Sequence, residues 1–187
     1  MFFFMALILR KTVAMVGMMG AGKTAIGRAV AEKLDVPFKD TDQEIETAAD
    51  RTISEIFADH GEAFFRDREH EVLTRLISGP ACILSTGGGA YMYERNRQVI
   101  SEHGIAVWLS ASKELLWNRV KHKDTRPLLK TGDPQATLNA IWDERTPVYS
   151  LAELSVSAQE EYSIDDMATK VVSSLAKRFD VLSQEPQ

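Results

Sequence analysis

The chain has 187 residues, 44% of them hydrophobic and 26% charged, with a formal net charge of -5. That length suits one domain rather than two, and the negative balance excludes a broad nucleic-acid surface, which needs clustered Lys and Arg. The single cysteine, Cys82, excludes an intramolecular disulfide and reads as a small core residue in an apolar run.

In chain order, Met1 to Leu9 is wholly apolar and is followed by Arg10 and Lys11. It is too short to cross a bilayer, which takes about 20 residues, and no basic residue precedes it as an export signal requires. Residues 1–11 read as an N-terminal extension, either an extra edge segment or a product of start-codon choice with Met5 as the alternative start, and a cytoplasmic protein without membrane attachment is expected. Thr12 to Val16 predicts a buried strand ending at Gly17, and Thr24 to Leu34 a helix broken by Asp35-Val36-Pro37. A second strand is expected over Val36 to Lys39. Thr52 and Glu55 form a capping box that starts a helix, and Glu62 to Ile77 continues as a second helical stretch after Gly61.

Ala81 to Ser85 predicts a third buried strand, running into Gly87-Gly88-Gly89. Helices follow at Glu94 to His103 and Ser112 to Val120, with a strand at Ile105 to Leu109 between them. Lys121 to Gln135 has no apolar period but two prolines and a glycine, so residues 121–135 form a candidate lid. A helix over Gln135 to Arg145, a strand over Leu154 to Ser157 and a helix over Ile164 to Lys177 complete the pattern, and residues 180–187 are expected to be a loose tail. Strands alternating with helices imply parallel pairing. The expected fold is α/β: a three-layer sandwich around a central parallel sheet, one domain over residues 12–179.

Gly17-Met18-Met19-Gly20-Ala21-Gly22-Lys23-Thr24 matches the phosphate-loop pattern in full, between a strand and a helix. Its backbone N–H groups and the helix N-terminus form an anion site. Lys23 supplies a positive charge to the β- and γ-phosphates, and Thr24 a hydroxyl to Mg²⁺. Asp40 and Asp42 follow the second strand. Side by side on extended backbone, one could hold the metal ion and the other could orient and deprotonate an acceptor hydroxyl. A polar turn before a helix is the plainer alternative. Three consecutive glycines, 87 to 89, suggest either bare backbone donors near a phosphate or substrate, or a flexible turn. Arg66, Arg126 and Arg145 suit bidentate recognition of carboxylate or phosphate, though each could be a solvated surface residue. His60, His70, His103 and His122 show no metal-ligand spacing.

The ordered set GMMGAGKT, DTD, FFRDRE, STGGGA, RPLL and ERTPVY resembles the shikimate kinase family from about Thr12 to about Ala176. The resemblance implies ATP-dependent phosphorylation of the 3-hydroxyl of shikimate; a monomer with a small-molecule substrate and no nucleic-acid partner is expected. It implies that Gly20, Ala21, Gly22, Lys23, Thr24 and Ala25 hold the ATP phosphates, and that Thr24 and Asp40 hold Mg²⁺. Asp42 would bind the shikimate hydroxyls and serve as the base, while Arg66 and Arg145 would grip the carboxylate. Gly88 and Gly89 would offer N–H groups to the substrate. Arg126 would swing in with the lid, and Arg119 would approach the adenine. The alternative is another small-molecule kinase of the same fold, of the gluconate or nucleoside monophosphate type.

Overall fold

A computed structural model describes residues 7–122 and 127–184. The central strand is β2, Thr12–Val16, whose five residues are all buried. A strand buried on both faces reads as a continuous apolar run because helices cover it above and below. On one side β2 pairs in parallel with β4 (Ile83–Ser85), which pairs with β3 (Phe38–Asp40); on the other it pairs with β5 (Gly104–Ser110), which pairs with β6 (Leu154–Ser157). The resulting five-stranded sheet has the order β3-β4-β2-β5-β6, and all its pairs are parallel, as the alternating pattern predicts.

Helix α1, Lys23–Leu34, buries Ile26, Gly27, Val30, Ala31 and Leu34, a single stripe at helical spacing. It packs against α7, Ile164–Leu175, whose stripe is Met167, Ala168, Val171 and Leu175. On the far side, α3 (Ile53–Ile77) packs against α4 (Glu94–His103), and α4 against β5. The capping box expected at Thr52 and Glu55 is formed. Gly61 takes φ 78 and ψ 177 inside α3, so the two predicted helical stretches join across a kink. After β5, Ser112 caps α5 (Lys113–Val120), and Asp133 caps α6 (Pro134–Tyr149).

Three expectations need correction. Thr41–Ala49 is a helix, α2, and the two aspartates are therefore not neighbours on one extended strand: Asp40 is its N-cap and Asp42 lies in its first turn. The polar pattern of this short helix concealed it, because only Thr41 and Ile45 are buried. Secondly, α6 continues past Arg145 through Pro147 to Tyr149, a fully buried ring that holds its last turn. Lastly, Leu182–Gln184 of the expected loose tail is a strand, β7, paired antiparallel with β1 (Leu7–Leu9) of the N-terminal extension. Arg10 Nε donates to Ser183 Oγ at 2.7 Å, and Lys11 pairs with Asp180 at 3.0 Å. The partner of each segment lies at the other end of the chain, so neither shows a pairing signal alone.

The chain leaves β2 toward one side of the sheet and leaves β4 toward the other. A crevice therefore opens at the carboxyl ends of these two strands, where ligands bind in open α/β sheets. A small second cluster of Ile45, Ile56 and Phe65 holds α2 against α3 beside it. No helix among the described residues is long and apolar enough to cross a membrane.

Candidate active site

The crevice is a cleft of about 480 Å³ at the mouth of the loop that joins β2 to α1. Gly17, Gly20 and Gly22 carry φ of 142, 80 and 92, a region that side chains disfavour. A Cβ on Gly20 would also lie 2.7 Å from Val120 Cγ1. Among the described residues, the N–H groups of Gly20, Gly22, Thr24 and Ala25 donate to no other protein group. They remain available for an anion at the N-terminus of α1. Ala21 differs from the expectation: it is buried and its N–H donates to Met18 O at 3.1 Å, inside the loop. Lys23 Nζ donates to Gly17 O at 2.8 Å and Met18 O at 3.1 Å, which holds the ammonium at the loop.

Beyond the loop, oxygens converge. Thr24 Oγ1 donates to Asp40 Oδ2 at 3.0 Å and lies 3.2 Å from Ser85 Oγ. Asp40 Oδ1 accepts from the backbone N–H of Asp42 at 3.0 Å, so one carboxylate caps α2 and faces Thr24. No cluster of three or more His, Cys, Asp or Glu side chains suited to a metal occurs among the described residues. A small set of hard oxygens beside a phosphate site fits Mg²⁺, which keeps most of its waters and shares phosphate oxygens.

Asp42 lines the same cleft from α2. Its pKa rises from the ordinary 3.8 to about 6, chiefly through burial and then through the charge of Asp40; Lys23 and Arg66 oppose the rise. The helix brings both carboxylates to the cleft by a different route from the extended backbone expected.

The three glycines after β4 each face a different recognition side chain. A Cβ on Gly87 would lie 2.8 Å from Asp42 Oδ1 and 3.0 Å from Glu69 Oε1. One on Gly89 would lie 2.7 Å from Arg66 Nη2, and one on Gly88 3.7 Å from Arg145 Nη1. Gly87 and Gly89 are thus required by close approach, not by positive φ. Gly87 N–H donates to Thr41 Oγ1 at 3.1 Å. The N–H groups of Gly88 and Gly89 have no protein acceptor among the described residues, which favours their reading as donors over that of a flexible turn.

Arg66 projects from α3 and is largely buried. Its Nη1 donates to Glu69 Oε2 at 2.8 Å, and the guanidinium lies over the rings of Phe65 and Tyr93. Burial pulls its pKa down, but the charge and hydrogen bond of Glu69 outweigh that and the net direction is upward. Glu69 is 1% exposed and its pKa rises because burial outweighs the attraction of Arg66. Sequence reasoning assigned it no role, although a carboxylate three residues after an arginine on a helix is a pairing signal. Ser85 was also missed. Arg119 reaches the loop, its Nη1 donating to Gly20 O at 3.3 Å, and lines the cleft together with Tyr162 and Met167. Burial lowers its pKa. Arg126 lies outside the described residues.

A family model described as shikimate kinase matches residues 19–176. A shikimate kinase of Ruegeria pomeroyi is 60% identical over 177 residues, 95% of this chain and 91% of that protein. The chain belongs to the shikimate kinase family. Another shikimate kinase, from Cereibacter sphaeroides, is 56% identical over 95% of this chain and 88% of its own length. Among solved structures, a shikimate kinase from Acinetobacter baumannii in complex with shikimate superposes with a TM-score of 0.81 at 38% identity, covering 87% of this chain and 91% of that one. The shikimate kinase fold is therefore present from the phosphate loop to α7, and residues of the motifs GMMGAGKT, DTD and STGGGA line its cleft.

Proposed function

We propose that this shikimate kinase transfers the γ-phosphoryl group of ATP to the 3-hydroxyl of shikimate, giving ADP and shikimate 3-phosphate for aromatic amino acid biosynthesis. One observation carries the substrate assignment: beside a phosphate loop, a glycine triplet packs against two arginines and two carboxylates, with Asp42 and Glu69 at Gly87 and Arg66 at Gly89 closer than a side chain would allow and Arg145 in contact at Gly88. Shikimate presents one carboxylate and several hydroxyls. Arg66 and Arg145 suit the first, and Asp42 with the N–H groups of Gly88 and Gly89 suits the second.

The phosphates rest on the N–H groups of Gly20, Gly22, Thr24 and Ala25, and Lys23 neutralises charge that grows between the β- and γ-phosphates. Thr24 and Asp40 hold Mg²⁺, with Ser85 Oγ close by; the ion supplies charge neutralisation on the phosphate oxygens. Asp42 accepts the proton of the attacking hydroxyl. The hydroxyl oxygen forms the new bond to the γ-phosphorus as the bond to ADP breaks, and Arg145 and Arg66 fix the ring so that the two bonds lie in line. Arg119 flanks the adenine, and Arg126 brings charge from the lid, whose closure excludes water. The protein works as a cytoplasmic monomer without nucleic-acid or membrane partners.

The test is a coupled assay for ADP with shikimate, gluconate or a nucleoside monophosphate as acceptor. ADP release is expected to depend on shikimate. Faster turnover on either rival, or release that ignores the acceptor, would remove the assignment.

A further inference from the structure

The sequence motif ERTPVY ends in a tyrosine to which none of the roles above gives a part. Tyr149 lies one helical turn after Arg145 on α6 and is fully buried. Its hydroxyl donates to the carbonyl oxygen of Gly88 at 2.5 Å. The ring is stacked on Tyr91 with centroids 6.5 Å apart and on Trp108 with centroids 6.3 Å apart. Trp108 in turn flanks Gly17 of the phosphate loop, where a Cβ would lie 3.5 Å from its Cδ1.

The Gly88 carbonyl belongs to the same rigid peptide unit as the Gly89 N–H, and in a trans peptide the two point in opposite directions. No cis peptide occurs among the described residues. Holding the carbonyl therefore aims the Gly89 N–H away from Tyr149. A glycine pair has no side chain to fix that plane by packing. The phenol supplies the constraint. It keeps its proton as a donor: burial is the largest influence and raises its pKa, while the charge and hydrogen bond of Arg145 pull the other way. The same hydroxyl and the guanidinium that recognises the acceptor's carboxylate meet at Gly88, where a Cβ would lie 4.0 Å from Tyr149 Oη and 3.7 Å from Arg145 Nη1.

We infer that Tyr149 is a positioning residue for acceptor recognition: its hydroxyl locks the Gly88–Gly89 peptide plane and Arg145 into one register, so that shikimate meets a preset donor pair. This rests on the roles proposed for Arg145 and Gly89.

The experiment compares Tyr149→Phe with Tyr91→Phe and Arg145→Ala in the full-length enzyme, measuring KM for shikimate, KM for ATP, kcat and the thermal midpoint. Tyr149→Phe keeps the stacked ring and deletes one hydroxyl. Its KM for shikimate is expected to rise about 5- to 20-fold, the effect of one hydrogen bond, while KM for ATP stays within about twofold. Tyr91→Phe, which removes a neighbouring hydroxyl that does not touch Gly88, is expected to leave both constants unchanged. A shikimate KM within twofold of the parent would overturn the inference, as would equal rises in both KM values or in both tyrosine variants. Failure of Tyr149→Phe to fold while Tyr91→Phe folds would also overturn it, since the hydroxyl would then serve the core. If Arg145→Ala leaves the shikimate KM unchanged, the carboxylate assignment itself has failed. If Arg145→Ala raises it and Tyr149→Phe does not, only the present inference falls.

Discussion

Replacing Asp42 with asparagine should make the free enzyme more stable and nearly inactive, and the two effects should follow the same pH. Folding carries the Asp42 carboxyl from 3.8 to about 6. Each pH unit of such a rise is worth about 1.4 kcal/mol, so the ionised form carries about 3 kcal/mol of destabilisation. Because the group borders an open cleft, about 2–3 kcal/mol is the expected share after solvent screening. A carboxyl whose folded pKa is raised contributes full stability below its unfolded value and loses it as pH rises through the folded value. The parent should therefore weaken between about pH 4 and pH 6 relative to Asp42→Asn, and the gap should stay level above that. At about 2–4 °C per kcal/mol for a domain of this size, Asp42→Asn should melt roughly 5–10 °C higher at pH 8 and nearly alike at pH 4. Urea unfolding at pH 4, 6 and 8 gives the free energies, and the ADP assay gives the lost turnover. Equal stabilities at every pH would show that Asp42 is not held against its charge, and the argument for it as a poised base would fail.

Three further outcomes are expected. The parent's kcat/KM for shikimate should fall on the acid side with an apparent pKa near 6, and Asp40→Asn should move that limb to lower pH, because the Asp40 charge helps to raise Asp42; a limb that does not move would separate it from Asp42. Lys23→Met should cut turnover by roughly 10²–10³, and a variant retaining half its activity would contradict the role of the ammonium. Gly89→Ala places a Cβ 2.7 Å from Arg66 Nη2 and must displace the guanidinium, so KM for shikimate should rise about tenfold or more while KM for ATP holds; unchanged shikimate affinity would show that Arg66 is not a carboxylate ligand.

Much of this was legible in the residues. Val13–Val16 is apolar throughout because it belongs to the middle strand, so local composition and final environment agree. The phosphate loop is legible for a related reason: its glycines, lysine and threonine act through backbone geometry that the sequence itself enforces, within a few residues of one another. The order of the remaining motifs carried the family.

What the sequence could not decide were relations between segments. Asp40 and Asp42 reach one cleft because α2 begins between them, and that short polar helix shows no apolar stripe. The pairing of β1 with β7 joins residues at opposite ends of the chain. Glu69 looks like one more charge on a helix, and only burial beneath Gly87 and against Arg66 makes it part of the site. Local physics acts through the chain and is written in it. Desolvation, close approach and the meeting of Tyr149 with Gly88 across 61 residues of sequence act through space, and exist only once the sheet has brought the loops together.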